Sequence, residues 1–248
     1  MTDIAKLTAD DEAARERLYA AAPDMVARTR SWSAHNTGSL NTEGLRRFAP
    51  KLADAFSALE AKIALAEGPG FETVGSDGKS TETHTGPIVE ITSRPDAPIQ
   101  VVMSGHYDTV FSPGVFETVT DLPDGRVNGP GMADMKGGIC VMLEALKAFE
   151  AGRLKDRLGY RIVLTPDEEI GNFASAESLR RAASAGALIG MTYEPAMETG
   201  AMAGGRKGSA VFDIVLHGRA AHAGRAKEEG RSAIEAAAEL VVGLEALN

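Results

Sequence analysis

The pattern of apolar and polar positions predicts helices in two N-terminal stretches, the second with apolar residues at the three- and four-residue steps that line one helix face. From Thr8 to about Trp32 the pattern predicts an amphipathic helix, with Asp10 and Asp11 at the positive end of its dipole. Asn41-Thr-Glu-Gly opens a second helical run in which Leu45, Phe48, Leu52, Phe56, Leu59 and Ile63 form the buried stripe, up to a stop at Gly68-Pro69-Gly70. After Gly86-Pro87 the texture changes to short β-branched runs. Ile88 to Thr92 and Ile99 to Met103 read as neighbouring strands, with Pro95 and Pro98 in the turn between them. Gly137-Gly138 precedes a helix with Ile139, Met142, Leu143, Leu146 and Phe149 on its apolar side. A strand at Arg161–Leu164, a helix at Ala174–Ala185 and a strand at Leu188–Tyr193 follow. Strands alternating with helices predict an α/β fold, a mostly parallel sheet with helices on both faces.

Near the glycine pair Gly204-Gly205 a second texture begins. Ala210–Leu216 reads as a strand, and Ser232–Leu247 as a helix with Ile234, Ala237, Ala238, Val241, Leu244 and Leu247 on one side. The expected division is a main domain over residues 1–204 and a smaller α+β piece over 205–248. One strand and one helix do not bury a core by themselves. This tail is therefore expected to lean on the first domain, to pair with something else, or to belong to a longer subunit.

Charge narrows the partners. Lys+Arg 26 against Asp+Glu 35 gives a net charge of −9, which argues against a nucleic-acid or anionic-membrane surface. Cys140 is the only cysteine, so no intrachain disulfide and no thiolate zinc cage is available, and any metal must be held by imidazole and carboxylate. The N-terminus has no apolar leader segment, from which a cytoplasmic location is expected.

Four blocks put acid or imidazole just past the end of a predicted strand: Gly105-His106-Tyr107-Asp108, Gly129-Pro130-Gly131-Met132-Ala133-Asp134, Thr165-Pro166-Asp167-Glu168-Glu169 and Tyr193-Glu194-Pro195. The carboxyl ends of strands in an open α/β sheet face a common crevice, so these side chains are expected to converge. Carboxylates gathered there repel one another unless a cation balances them. One histidine with several carboxylates suits zinc or another borderline divalent ion better than calcium. Three carboxylates and a hydroxide carry the charge that two divalent ions neutralise. Each block taken singly has a plainer reading: a satisfied histidine, an Asp134 helix cap, a solvated Glu168-Glu169 pair.

Together with Ala221-His222-Ala223-Gly224, these blocks resemble the zinc peptidase and deacylase family that includes acetylornithine deacetylase, succinyl-diaminopimelate desuccinylase, the aminoacylases and glutamate carboxypeptidases. The resemblance implies a zinc-exopeptidase-like fold and two zinc ions, with cobalt or manganese as substitutes. It implies amide hydrolysis on a small peptide or an N-acyl amino acid. Residue by residue, it makes His106 a metal ligand oriented by Asp108, Asp134 the bridge between metals, Glu168 the general base, and Glu169 a ligand of the second metal. Glu194 becomes the ligand that shares a metal with His106, and His222 a lid-borne donor to the oxyanion that serves a partner subunit, so that the lid forms a homodimer. Family members also carry a later metal-binding histidine. His35, His84 and His217 stand in none of the matching blocks, which leads to the expectation of a truncated member with one complete metal position (His106, Asp134, Glu194) and one incomplete. The alternative is a catalytically silent metal-binding or interaction protein. Nucleotide motifs fail: Thr73 stands where Gly75-Ser-Asp-Gly78-Lys79-Ser80 would need its first phosphate-loop glycine, and Asp134 stands where Gly129-Pro-Gly131 would need its third. No Gly-x-Ser-x-Gly elbow occurs.

Overall fold

The computed structural model describes residues 7–197, 199–201, 205, 208 and 210–247. Chain order is α1 (Ala9–Ala20), α2 (Ala22–Ser33), α3 (Thr42–Phe56), β1 (Lys62–Ala66), β2 (Phe71–Val74), β3 (Ser80–Thr83), β4 (Ile88–Ser93), β5 (Ile99–His106), β6 (Thr120–Asp121), β7 (Val127–Asn128), α4 (Gly137–Glu150), β8 (Leu158–Thr165), α5 (Ala176–Ala183), β9 (Ile189–Thr192) and α6 (Ala233–Glu245). Contacts divide it into two compact units. The first is Met1–Glu72 with Glu82–Ala203, and the second is Thr73–Thr81 with Gly204–Asn248. That residues 73–81 cluster with the tail was not anticipated. Gly204 of the glycine pair lies outside the described residues.

The first predicted helix is two helices. Thr8 caps α1 through a capping box, its hydroxyl accepting from Asp11 N while the Asp11 carboxylate accepts from Thr8 N. The break falls at Ala21 because Pro23 lacks an N–H and fits only a first turn, so it opens α2. Asn41 caps α3 as expected, with its side chain accepting from Gly44 N. The stripe Leu45, Phe48, Leu52 and Phe56 is fully buried. α3 ends at Phe56, however, and Ile63 belongs to β1, an edge strand paired antiparallel with β4.

The central sheet has the order β1-β4-β8-β5-β9. β1–β4 and β4–β8 are antiparallel, while β8–β5 and β5–β9 are parallel, so the sheet is mixed rather than mostly parallel. β4 and β5, read as neighbours, are separated by β8. The 94–98 connection crosses the start of β8, where a side chain on Gly159 would come within 2.0 Å of the Arg94 carbonyl oxygen. Glycine there lets the loop pass over the strand.

Alternation along the strands divides the sheet's two faces. Val89, Ile91, Val101, Met103, Tyr160, Ile162 and Leu164 join the large core with α3 and α4. Ile88 and Val163 face the other way, against Ala182 and Leu179 of α5. Helices therefore cover both faces.

In the second unit, Ser232 caps α6, its hydroxyl accepting from Glu235 N. Ala210–Leu216, predicted as a strand, contains no strand, and its Val211 and Phe212 are left exposed; the bridge that follows it pairs Arg219 with Arg231. No described helix is long and apolar enough to cross a membrane.

Candidate metal centre

Parallel register brings the site together. Along β5 and β8, His106 stands opposite Thr165, and along β5 and β9, Ser104 stands opposite Thr192. The residues that follow each strand end, 107–109, 166–169 and 193–194, therefore emerge side by side on one sheet edge, as such topology requires. The fourth contribution comes from the 129–136 loop. Here Asp134 (φ −117°, ψ 98°) and Met135 (φ −128°, ψ 30°) leave helical geometry just before α4. Asp134 does not cap α4, which has no side-chain cap. The loop lies close to Glu194 because the start of α4 packs tightly on the Tyr193 backbone: a side chain on Gly138 would come within 1.9 Å of the Tyr193 carbonyl oxygen.

At the centre is His106, 1% exposed. Its Nε2 lies 2.9 Å from Asp134 Oδ1, 3.8 Å from Glu194 Oε1 and 3.9 Å from Glu168 Oε2. Ligand atoms of His106, Asp134 and Glu169 all lie within 4.8 Å of one another. Two ligands on one zinc at about 2.1 Å each stand roughly 3–4 Å apart, so small side-chain adjustments close this group on a cation. Glu194 reaches the same imidazole nitrogen. His222 belongs to the second unit, where it is exposed and its Nδ1 accepts from Gly224 N.

Asp108 is fully buried behind the histidine. Its Oδ1 faces His106 Nδ1 at 3.3 Å and accepts from Glu168 N at 3.2 Å. Its Oδ2 accepts from Ser39 Oγ at 2.7 Å and from Glu169 N at 3.2 Å. One carboxylate thus orients the imidazole, with Nε2 toward the acids, and fixes the backbone of the Glu168-Glu169 turn. Such outer partners set ligand orientation at metal sites.

The electrostatics call for positive charge. Burial opposes a charged His106, but the carboxylates of Asp108 and Glu194 outweigh it and raise its pKa to about 11. Burial raises Glu168 and Glu169 as well; His106 pulls both back, and neighbouring carboxylates add to the rise. Among the described residues, no lysine or arginine forms an ion pair with Asp108, Asp134, Glu168 or Glu169. A divalent cation fits this donor set and removes the repulsion.

Three supporting residues went unassigned in the sequence. Ser39 sits in an Asn/Gly/Ser-rich stretch that reads only as a loop. Lys136, completely buried, donates from Nζ to the carbonyls of Trp32 and His35 at 3.2 and 3.0 Å and lies 4.9 Å from the centre of the Phe48 ring. Burial lowers its pKa to about 7, against the pull of Asp108. Asp167, also buried, accepts from the N–H groups of Ala174 and Ser175 and shapes the loop after the glutamates. A cleft of about 470 Å³ opens beside Glu169, with Ser39, Leu40, Asn41, Val110 and Ile170 in its walls.

The profile of peptidase family M20/M25/M40 matches residues 102–247, more than half of the chain and all of the convergent blocks. The chain belongs to that family. Carboxypeptidase G2 of Pseudomonas sp. (strain RS-16) is 30% identical over 144 residues, which cover 57% of this chain and 34% of that protein. Human carnosine dipeptidase 1 superposes with a TM-score of 0.61 at 19% identity, over 75% of this chain and 41% of that one. A Staphylococcus aureus tripeptidase gives 0.57 at 18% identity, over 88% and 55%. The chain spans between about a third and just over half the length of these relatives.

Proposed function

We propose that this member of peptidase family M20/M25/M40 hydrolyses an amide bond in a small peptide or an N-acyl amino acid, with zinc as its metal. The observation that carries this reading is the meeting of His106, Asp134 and Glu169 within 4.8 Å, with Asp108 behind them and Glu168 and Glu194 alongside. The names of the relatives, a carboxypeptidase, a dipeptidase and a tripeptidase, favour short peptides.

His106, Asp134, Glu169 and Glu194 would hold the metal, and the count of carboxylates favours two ions. Bound there, divalent zinc supplies Lewis acidity and an acidified water. Asp108 keeps the His106 imidazole in the tautomer that offers Nε2. Glu168, facing the same hollow, takes a proton from the attacking water and returns it to the leaving nitrogen. The cleft that Glu169 lines together with Leu40, Val110 and Ile170 receives the substrate on one side of the scissile bond. His222 serves as an oxyanion donor within a homodimer.

Metal analysis combined with hydrolysis of a panel of dipeptides and N-acyl amino acids tests this. Wild-type chain is expected to bind zinc and turn over at least one substrate. Glu168→Ala is expected to keep its metal and to lose at least about a hundredfold in turnover. Activity retained by the variant would remove Glu168 from its role. Metal bound without turnover by the wild type would favour a silent metal-binding protein.

A further inference from the structure

The residues that hold the two arms of the metal centre apart come largely from a segment before the family match, residues 33–41, which joins α2 to α3. On one side it grips the His106–Thr109 arm. Ser39 Oγ donates to Asp108 Oδ2 at 2.7 Å, Ser39 N donates to Thr109 O at 3.0 Å, and Thr109 N donates to Thr37 O at 2.9 Å. On the other side it grips the loop that carries Asp134. Ser33 Oγ donates to Pro130 O at 2.7 Å, and Lys136 Nζ donates to Trp32 O in the last turn of α2 and to His35 O just beyond it.

These contacts lie in the interior. Ser33, Thr37 and Lys136 are at most 1% exposed and Ser39 is 6% exposed. The segment itself is stiff: Asn41 Nδ2 donates to both the carbonyl and the side-chain oxygen of Asn36, closing the turn. A side chain on Gly38 would come within 2.4 Å of the Phe111 carbonyl oxygen, so the segment lies flat against the 109–111 backbone. Neither Ser39 nor Lys136 reaches the hollow between His106 and Asp134. Each acts through a neighbour, Ser39 through Asp108 and Lys136 through the backbone two residues after Asp134.

We infer that residues 33–41, together with Lys136 of the facing loop, form a brace that sets the separation of His106 and Asp134, with Ser39 and Lys136 as the positioning residues for the metal. The inference rests on the metal reading above. A side chain that only stabilises the fold contributes to melting temperature. A positioning residue also contributes to metal affinity and to the ligand field of the bound ion. Loss of a partner that orients a metal ligand weakens binding by about 10–100-fold at comparable sites.

The test titrates Zn²⁺ and Co²⁺ into the full chain and records the visible spectrum of the cobalt form and the melting temperature. Ser93→Ala is the control: Ser93 is buried and its Oγ donates to Glu60 O at 2.8 Å, so its loss removes a buried serine hydrogen bond that touches neither Asp108 nor the Asp134 loop. Ser39→Ala is expected to bind either ion about tenfold more weakly with an altered cobalt spectrum, and Ser39→Thr, which keeps the hydroxyl, to bind as wild type. Lys136→Met is expected to shift affinity in the same direction. If that variant does not fold, Ser33→Ala takes its place with the same expectation. Ser93→Ala is expected to lose melting temperature alone. Equal affinities for Ser39→Ala and Ser93→Ala would overturn the brace while leaving the metal centre standing. Wild type and His106→Ala that bind metal equally, or not at all, would instead remove the metal reading, and the brace with it.

Discussion

Asp108 accounts for more of the site than any other residue, because four groups from three parts of the chain meet on its two oxygens. Its place beside His106 was legible in the sequence, since the resemblance assigns the pair as ligand and orienter. Ser39 was not, because a serine in a turn-rich stretch looks the same whether its hydroxyl meets water or a buried carboxylate. Gly138 belongs to the same scale. The pair Gly137-Gly138 reads as the approach to a helix, yet it is the first turn of α4, and the backbone of Tyr193 leaves no room for a side chain. Gly138→Ala is expected to lower stability by roughly 1–3 kcal/mol through overpacking. It should also weaken metal binding by displacing Glu194. Chemical denaturation and metal titration of the variant check both.

Among elements, those set by local spacing were readable and those set by distant pairing were not. The stripe from Leu45 to Phe56 and the run Ile139 to Leu146 carry their own periodicity. The insertion of β8 between β4 and β5 depends on a crossing at Gly159 that no local pattern encodes. The end of α4 shows what such packing adds. Burial pushes the Glu150 carboxyl up, but the bonds it accepts from Glu60 N, Tyr160 Oη and Arg94 outweigh this and hold its pKa below the usual glutamate value. Glu144, held by Lys147 and Arg28, is lowered in the same way. With folded values below the unfolded one, their stabilisation is complete above about pH 4.5 and is lost as pH falls through the folded values. The urea midpoint is therefore expected to drop below about pH 4.5, and Glu150→Gln should flatten that drop. An acid-independent midpoint in the wild type would contradict it.

At the scale of the whole molecule the two units differ in how they bury apolar surface. The first has a continuous core on both faces of a sheet. In the second, α6 has no buried residue, and Ile234, Val211 and Phe212 are 84%, 92% and 79% exposed. Limited proteolysis is expected to cut first between residues 205 and 230. Uniform resistance there would show that the second unit is as well packed as the first. Convergence of the His106, Glu168-Glu169 and Glu194 blocks was legible at this scale because the parallel strands β5, β8 and β9 end on one edge, whereas the Asp134 block, expected past a strand of the same sheet, follows β7 of a separate two-stranded sheet and reaches the site through the loop before α4.

That convergence is tested most directly by the metal content of the purified chain, measured after equilibrium dialysis against zinc for the wild type and for Asp134→Ala. At least one zinc ion per wild-type chain, with a clear loss in Asp134→Ala while the fold is retained, is the expected result. A wild type that emerges free of metal, or an Asp134→Ala variant that holds as much zinc as the wild type, would contradict the account.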